Sequence, residues 1–353
     1  MRYGIPITPF GAGSGLEGGA IPETGAISVD TSRLDSIIEI RPDDMIARVG
    51  AGVRRLELNR QLRDAGLFFP VDPGADASIG GMASTGASGT NAVRYGVMRE
   101  NVPGLTVVTG TGEVVRTGTL ARKSSSGYDL TRLFVGSEGT LGIVTEVTLR
   151  LHPLPDAKSA HASFATLAGA VEVVTAIKKA GLAIGRVELL DQPLVEVINR
   201  RGALSLPPLP TLFFEFHGYA SKIEGLAATI GGLVEDFGGT PLVWAETNLL
   251  WTTRRDCLAW ARAERPGANS WPSDVCVPIS RLAEVILETR EDVSASAIPA
   301  YIVGHVGDGN FHCVFILADD EEEEVAYYAD RIVGGRSRSV VRPAANTGSK
   351  PFA

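Results

Sequence analysis

The chain has 353 residues, of which 44% are hydrophobic and 21% charged, and its formal net charge is −8. This length accommodates two domains with separate cores, and the composition is typical of ordinary soluble globular proteins. The acidic balance argues against nucleic-acid binding, which favours a basic surface, and no run of residues approaches the ~20 apolar residues of a membrane span.

The first distinctive segment is a glycine-rich loop at residues 9–19, which follows a short apolar run and reads Pro-Phe-Gly-Ala-Gly-Ser-Gly-Leu-Glu-Gly-Gly. Glycine at this density permits left-handed turns and lets backbone N–H groups approach an anion. A G-x-G-x-x-G pattern runs from Gly13 to Gly18, but Pro22 and Gly25 leave no room for the helix that a Rossmann fingerprint requires. We therefore predict a phosphate-binding loop of another kind, with a flexible linker as the alternative.

Small residues dominate a second segment, residues 73–89. An ordinary helix or strand of this composition could not bury a core, so we expect its backbone to lie flat against a large rigid group. A bulky aromatic cofactor fits that expectation, and a flexible low-complexity loop is the alternative. A third glycine-dense turn follows at residues 136–142, and the three segments are expected to converge on one extended ligand.

Between these segments the pattern predicts short strands and one helix. Turn residues separate paired apolar runs, as in β-hairpins. Leucines near helical spacing, followed by Gly66, predict a helix that ends at that glycine. The predicted elements are a strand at 26–30, hairpins at 36–49 and 105–117, a helix at 53–65 and a strand at 143–151.

Prolines 153 and 155 mark a domain boundary, which gives domains of residues 1–155 and 156–335. Beyond it strands and helices alternate, which predicts an α+β layer with helices on one face of a sheet. The acidic run 319–324 is interpreted as the first turn of a helix, without a chemical role. Strands are expected at 159–164, 183–190, 211–219, 240–245, 300–305 and 311–317, and helices at 168–180, 222–237, 249–263 and 281–296.

Two histidines flank one predicted turn in the second half of the chain. Residues 306–310, Val-Gly-Asp-Gly-Asn, have hairpin-turn chemistry and would set His305 across from His312, with Cβ atoms ~5 Å apart. Two imidazoles at that distance can share one metal ion. Two ligands are too few for a stable site, so a carboxylate or imidazole is expected from elsewhere. The alternative is two polar residues that bond the backbone at a hairpin.

Arg254 and Arg255 are the best candidates for anion binding in the second half. An Arg fork holds a carboxylate in a bidentate manner, which Lys cannot copy. Both lie within the helix predicted at residues 249–263, so a solvated helix face is the alternative.

Taken together, these motifs resemble those of the FAD-dependent D-2-hydroxyacid dehydrogenases, most closely the cytochrome-type D-lactate dehydrogenases. The resemblance runs from about Gly4 to Gly334. It rests on the first glycine loop, Asp-Pro-Gly-Ala at 72–75, Gly-Ser-Glu-Gly-Thr-Leu-Gly at 136–142 and His-Val-Gly-Asp-Gly-Asn-Phe-His at 305–312. It implies an α+β fold, in which a PCMH-type FAD-binding domain of the vanillyl-alcohol-oxidase kind precedes a catalytic cap domain with an antiparallel sheet.

The resemblance also implies which residues form the site. FAD would be held without a covalent bond, because the first loop contains neither His nor Cys. His305 and His312 would be ligands of a divalent metal, zinc or manganese, and catalytic together with Arg254, which would anchor the substrate carboxylate. The implied FAD contacts are Gly11, Ala12, Gly13, Ser14, Gly15, Gly80, Gly81, Ser84, Gly89, Gly139 and Ile143.

The implied reaction is the oxidation of a D-2-hydroxyacid, D-lactate, to the 2-oxoacid. The metal would bind the substrate hydroxyl and lower its pKa, a base would remove the proton, and hydride would pass to the flavin. Electrons then leave for cytochrome c or a quinone. A glycolate or D-2-hydroxyglutarate dehydrogenase is the alternative within this class, and an inactive flavin-binding remnant is the alternative outside it.

Cysteine usage and the start of the chain bear on localisation. The three cysteines, Cys257, Cys276 and Cys313, are far apart and none lies in a C-x-x-C pair, which indicates a reducing compartment. The first residues resemble neither a signal nor a transit peptide. The prediction is a cytoplasmic protein, peripheral to the inner membrane at most, and mitochondrial if the source is eukaryotic.

Both ends of the chain depart from the resembled family. Members carry a further βαβ segment before Gly4, and beyond Gly334 a Gly-Gly-Thr…Gly-Glu-His-Gly motif that supplies a metal-ligating Glu and a catalytic His. The expectation is therefore a chain truncated at both ends, with residues 336–353 as an aberrant, disordered tail. A frameshifted reading of a normal family gene would explain this tail. Without the motif the metal lacks one ligand and the reaction lacks its base.

Overall fold

The structure is a computed structural model that describes residues 4–202 and 204–318 and the short strand at 342–343. The chain divides into two compact units, which meet in sequence between Leu154 and Pro155. The acidic run 319–324 and the predicted tail 336–353, apart from 342–343, lie outside the described residues.

The first unit is built on a five-stranded antiparallel sheet in the order β3-β4-β8-β6-β7, with two smaller pairs, parallel β1-β2 and antiparallel β5-β9. Its strands are β1 (Ile7–Phe10), β2 (Ile27–Asp30), β3 (Ile37–Arg41), β4 (Ile46–Gly50), β5 (Leu67–Phe68), β6 (Gly104–Thr109), β7 (Val114–Gly118), β8 (Gly142–Arg150) and β9 (His152–Pro153). Its helices are α1 (Arg55–Leu62), α2 (Ile79–Thr85), α3 (Ala92–Tyr95), α4 (Met98–Asn101) and α5 (Leu130–Phe134).

One hydrophobic cluster forms the core of this unit. Inward residues of the sheet, such as Val49 and Val147, join Leu58 and Leu62 of α1. These two leucines are four residues apart and therefore share one face of the helix. A 3-10 turn extends the helix to Gly66, whose φ of 66° is left-handed, so the predicted helix and its glycine stop are confirmed.

The small-residue segment contains a helix, which corrects the expectation that such a composition could not bury a core. Ile79, Met82 and Ala83 of α2 are buried in the first unit's cluster. The helix packs closely because Gly80 has no side chain: a Cβ there would lie 2.5 Å from the Cβ of Ala51. The small residues therefore allow the helix to pack closely against Ala51, a role that the sequence alone did not reveal.

The second unit is built on a nine-stranded sheet in the order β13-β10-β12-β11-β16-β17-β15-β18, with β14 also paired to β17. Every pairing is antiparallel, as predicted for the cap domain. Its strands are β10 (Ala157–Ser163), β11 (Arg186–Leu190), β12 (Thr211–His217), β13 (Val243–Ala245), β14 (Asn269–Pro272), β15 (Val275–Cys276), β16 (Ala300–Gly304), β17 (Asn310–Leu317) and β18 (Arg342–Pro343). Its helices are α6 (Leu167–Lys179), α7 (Gln192–Arg201), α8 (Ala220–Asp236), α9 (Thr247–Ala263) and α10 (Leu282–Ser294).

Helices cover both faces of this sheet, so the prediction of helices on one face was wrong. All seven residues of β12 are buried. Phe213 faces the cluster that Leu194 of α7 and Leu250 of α9 line, whereas the next residue, Phe214, is buried on the opposite face. Helices α6, α8, α9 and α10 lie where the sequence predicted them, and α7 was missed.

Candidate cofactor and active site

The three glycine-rich segments of the first unit come together in space. A Cβ on Gly139, whose φ is 81°, would lie 2.8 Å from Cγ of Pro9 at the start of the first loop. The backbone N–H of Glu138 donates to the carbonyl of Ser84 in α2, at 2.9 Å. The predicted convergence of these segments is therefore present in the fold.

The hydroxyl of Ser78 marks the contact between the first loop and α2. Its Oγ is buried and has no hydrogen-bond partner in the part of the chain that the structure describes. A Cβ would lie 2.5 Å from this atom if built on Gly11 and 2.9 Å from it if built on Gly81. An unpaired buried hydroxyl costs about 1–3 kcal/mol, so it indicates a place where a ligand supplies the missing partner.

The other predicted cofactor contacts have varied surroundings. Gly80 and Gly89 are packed against the protein itself, since a Cβ on Gly89 would lie 2.3 Å from the carbonyl oxygen of Asp72. Gly13 has a left-handed φ of 65°, whereas a Cβ on Gly15 would meet no atom within 4 Å. Their contact with FAD stays a prediction. The remaining predicted contacts in the same three segments are Ala12, Ser14, Ser84 and Ile143.

In the second unit the two predicted histidines are neighbours. The ring centroids of His305 and His312 lie 5.5 Å apart with the planes nearly perpendicular, at 87°. The register differs from the prediction, because His312 on β17 pairs with Val303. His305 follows β16 and opens a 3-10 turn, Val306–Asp308, so it is not directly opposite its partner although the rings still meet.

A glutamate that the sequence analysis did not single out joins this histidine to the predicted anion anchor. Glu188 on β11 is fully buried, and its Oε1 lies 2.5 Å from Nδ1 of His305. Its Oε2 accepts from Nη2 and Nε of Arg254 on α9, at 2.7 and 2.8 Å. Burial by itself raises the pKa of Glu188, but the charges of His305 and Arg254 outweigh burial and hold it below the usual value. The signal that could have revealed Glu188 is a carboxylate inside an apolar strand.

The two arginines of the predicted anion site have different surroundings. The Arg254 side chain is mostly buried, and although burial lowers its pKa, the charge of Glu188 raises the pKa above the ordinary value. Arg255 is exposed and pairs with Asp256, its neighbour in sequence. The solvated-face alternative therefore describes Arg255, and Arg254 alone lies beside the carboxylate partner of His305.

His312 also has an acceptor beside its Nδ1. This atom lies 3.3 Å from the carbonyl oxygen of Ser273 and 3.3 Å from Oδ1 of Asp274. Burial raises the pKa of Asp274, but hydrogen bonds from His312 and Asn310 lower it below the usual value. Both histidines of the pair thus have their Nδ1 side occupied by protein oxygens.

The described ranges contain no group of three or more His, Cys, Asp or Glu side chains that could hold a metal ion. His305 and His312 supply two imidazole donors, fewer than the four ligands of a typical zinc site. The predicted divalent metal is therefore without support from the described residues. Among the same residues, no helix is both long and apolar enough to cross a membrane.

Two family models match the chain. Residues 1–118 match the FAD binding domain, and residues 153–338 match the C-terminal domain of FAD linked oxidases. An alkyldihydroxyacetonephosphate synthase of known structure shares the fold, with a TM-score of 0.76 at 20% identity over 94% of this chain and 66% of that protein.

Several curated proteins are similar in sequence. A probable mitochondrial D-lactate dehydrogenase of Danio rerio is 46% identical over 332 residues, which cover 92% of this chain and 67% of that protein. The mitochondrial cytochrome D-lactate dehydrogenase of Arabidopsis thaliana is 40% identical, over 94% of this chain and 59% of that protein. The glycolate oxidase subunit GlcD of Bacillus subtilis is 33% identical, over 92% of this chain and 71% of that protein. The chain spans 59% to 67% of the length of the mitochondrial D-lactate dehydrogenases it matches.

Proposed function

The chain belongs to the FAD-linked oxidases, and from this premise we propose that it oxidises a D-2-hydroxyacid, D-lactate, to the 2-oxoacid. Cytochrome c or a quinone would accept the electrons. The predicted family and the α+β fold class, a PCMH-type FAD-binding domain followed by a cap domain with an antiparallel sheet, are confirmed. Within the proposal, residues 1–155 bind FAD and residues 156–335 bind the substrate, in the mitochondrion if the source is eukaryotic.

The observation that carries the cofactor assignment is the buried, unpaired hydroxyl of Ser78 beneath the first glycine loop. The absence of side chains at Gly11 and Gly81 lets the backbone approach this hydroxyl closely, and a glycine-rich backbone of this kind suits the polar phosphate or ribitol part of a dinucleotide. When bound, FAD supplies the two-electron acceptor of the reaction. The predicted contacts of the three glycine-rich segments would hold it, with Ser78 as an added hydrogen-bond donor.

The substrate side of the proposal uses Arg254 and His305. Glu188 takes up two of the five N–H donors of the Arg254 guanidinium, which lies beside His305 through that shared carboxylate. The guanidinium would bind the substrate carboxylate and orient C2. His305 and His312 would contact the substrate hydroxyl. Zinc or manganese would use the same two imidazoles, but the described donors do not complete a metal site.

The test is spectroscopic. We expect the purified chain to bind added FAD, with the flavin absorbance bleached by D-lactate and not by L-lactate. Ser78→Ala should weaken FAD binding about 10-fold, because one hydrogen bond to a charged or polar group is lost, and should not destabilise the chain without FAD. Loss of stability in Ser78→Ala with unchanged FAD affinity would contradict the cofactor assignment.

A substrate panel separates the remaining alternatives. If glycolate or D-2-hydroxyglutarate bleaches the flavin faster than D-lactate does, that compound is the better substrate and replaces D-lactate in the proposal. FAD binding without bleaching by any D-2-hydroxyacid would identify an inactive flavin-binding remnant. Calorimetric titration of the wild type and of His312→Ala with Zn²⁺ or Mn²⁺ tests whether the histidine pair binds a metal. Equal heats of binding in the two proteins would show that it does not.

A further inference from the structure

A loop of the first unit connects β7 to α5 and projects from the fold. Residues 119–129 read Thr-Leu-Ala-Arg-Lys-Ser-Ser-Ser-Gly-Tyr-Asp, and every one of them is exposed. Among the described residues, the hydrogen bonds of this loop reach no further than Arg132, in the helix that follows it. The two ends of the loop are held together, because the hydroxyls of Thr117 and Thr131 lie 2.8 Å apart. The 119–129 loop therefore stands out from the first unit on a closed base.

Large apolar side chains are exposed on this loop and directly after it. Tyr128 is 94% exposed and Leu120 is 47% exposed, and both belong to the loop. Leu130 and Leu133 of α5 are also exposed, and they share one face of that helix because they are three residues apart. Single exposed hydrophobic residues are ordinary, but several in one stretch of chain indicate a site of interaction with a protein or a membrane.

The same stretch is basic although the chain as a whole is acidic. Residues 114–133 contain four cations and one acid, a balance of +3 in a chain whose net charge is −8. The acid, Asp129, pairs with Arg132. The other three cations are exposed and form no ion pair within the described ranges; they are Arg116, Arg122 and Lys123. Their positive charge is therefore available to an anionic partner.

We propose that the 119–129 loop docks on an anionic lipid surface. Leu120 and Tyr128 would enter the interface between headgroups and acyl chains, and Arg122 and Lys123 would contact the lipid phosphates. Apolar side chains combined with unpaired cations are what holds a segment at the surface of a bilayer. Tyr suits this depth because its ring is apolar while its hydroxyl remains in contact with water.

Two other classes of partner fit this loop less well. A single-stranded nucleic acid would use the cations and the Tyr128 ring, but it would leave Leu120 and Leu130 in contact with water. A second copy of this acidic chain would attract the cations, but a stable protein interface uses about 20–30 residues on each side, and the loop is far shorter. A lipid surface requires no matching shape, so a short projecting loop is sufficient for it.

The first measurement is sedimentation of the full chain with phosphatidylcholine vesicles that either contain or lack phosphatidylglycerol as the anionic lipid. We expect binding to the anionic vesicles and about 100-fold weaker binding to the neutral ones, since each of three unpaired cations contributes about fivefold near an anionic surface. Raising the salt from 0.1 M to 1 M shortens the Debye length from about 10 Å to about 3 Å, and should weaken the binding about 10-fold or more. Equal binding to both kinds of vesicle, or binding to neither, would overturn the proposal.

The double variant Arg122→Gln with Lys123→Gln tests the charge of the loop. It removes two cations and should weaken binding to the anionic vesicles about 25-fold. Arg33→Gln with Arg63→Gln is the matched control, because these two arginines are exposed, lie in the same unit outside the loop and form no ion pair in the part of the chain that the structure describes. If the control weakened the binding as much as the loop variant does, the attraction would come from overall charge and the proposal would fail.

The second measurement is fluorescence quenching by lipids that carry bromine on the acyl chain. Tyr128→Trp places an indole at the most exposed ring of the loop, and the emission of the wild type, which has four tryptophans, is subtracted. We expect the added indole to be quenched on anionic brominated vesicles. Leu56→Trp, at an exposed position of α1, should not be quenched. Binding without quenching in Tyr128→Trp, or equal quenching in both variants, would contradict insertion of the loop.

Fold and oligomeric state are measured on the same proteins. The loop variants should keep the urea midpoint of the wild type, because the substituted side chains are exposed, so that weaker vesicle binding does not reflect unfolding. A wild type that stays in the supernatant and forms dimers which the Arg122→Gln and Lys123→Gln double variant abolishes would make the loop a contact between copies and overturn the proposal. Vesicle binding is measured without substrate, so a chain that binds vesicles but oxidises no D-2-hydroxyacid would reject the proposed reaction alone.

Discussion

At the scale of single residues, two glycines that both lie inside helices differ in whether packing requires them. Gly80 lies inside α2, where a Cβ would be 2.5 Å from the Cβ and 2.9 Å from the Cα of Ala51. Gly225 lies inside α8, where a Cβ would meet nothing within 4 Å. Glycine at the first position permits helix packing, whereas at the second it only adds flexibility to the unfolded chain.

The two substitutions to alanine should therefore have opposite signs. Gly80→Ala should lower the free energy of unfolding by about 1–3 kcal/mol, because the contact is with backbone atoms that cannot move away. Gly225→Ala should raise it by about 0.5–1 kcal/mol, the difference in helix propensity. Urea denaturation of both variants checks this. A Gly80→Ala chain as stable as the wild type would show that α2 does not pack tightly against Ala51.

At the scale of elements, helix α7 depends on one buried residue before its first turn. Asp191 accepts from the N–H of Leu194 as the helix cap, from the N–H of Ile302 on β16 and from Nη1 of Arg290 on α10. One carboxylate thus holds a helix, a strand and a second helix together. This network explains why α7 forms where the sequence analysis predicted no helix.

Removal of this carboxylate should cost more than removal of an ordinary cap. Asp191→Ala should lower the free energy of unfolding by about 3–5 kcal/mol, because a helix cap and the partner of Arg290 are lost together. Thr166→Ala, which removes the α6 cap that bonds only the Gly169 N–H, should cost about 1 kcal/mol. Chemical denaturation measures the free energy of unfolding of both variants. Equal losses in Asp191→Ala and Thr166→Ala would mean that Asp191 acts only as a helix cap.

At the scale of the whole molecule, a half-buried histidine in the first unit, His152, should make stability depend on pH. Burial, followed by the charges of Arg150, Arg122 and Arg94, lowers the pKa of His152 from 6.5 to about 4. As the pH falls below 6.5, the unfolded chain takes up this proton before the folded chain does. The stability that His152 contributes above pH 6.5 is therefore lost as the pH falls towards 4.

His152→Gln removes this titration. Between pH 7 and pH 5 the melting temperature of the wild type should fall further than that of His152→Gln, since Gln binds no proton in either state. The comparison uses the pH-induced change within each protein, so a constant cost of the substitution cancels. Identical falls in the two proteins would show that His152 takes up its proton as readily in the folded state as in the unfolded one.

Much of the architecture was predictable because it follows from local physics. Glycine and proline punctuation located the hairpins, and leucine spacing with Gly66 located α1, since these depend on the backbone of neighbouring residues. Helix α2 was missed because its small side chains bury little surface by themselves. Close packing against Ala51, which lies about 30 residues away in the sequence, compensates for this, and local patterns do not show that contact. The arrangement of helices on both faces of the second sheet was missed because periodicity does not state on which side a helix packs.

By itself the sequence determined the family, the three glycine-rich segments and the closeness of His305 to His312, because a motif joins residues that are near in the chain. Tertiary structure alone decided that Glu188 stands between His305 and Arg254, residues 117 and 66 positions away from it. It also decided that Arg254 turns inward while Arg255 faces solvent. A buried charge finds its partners across strands and helices, and only the folded packing selects which partners those are.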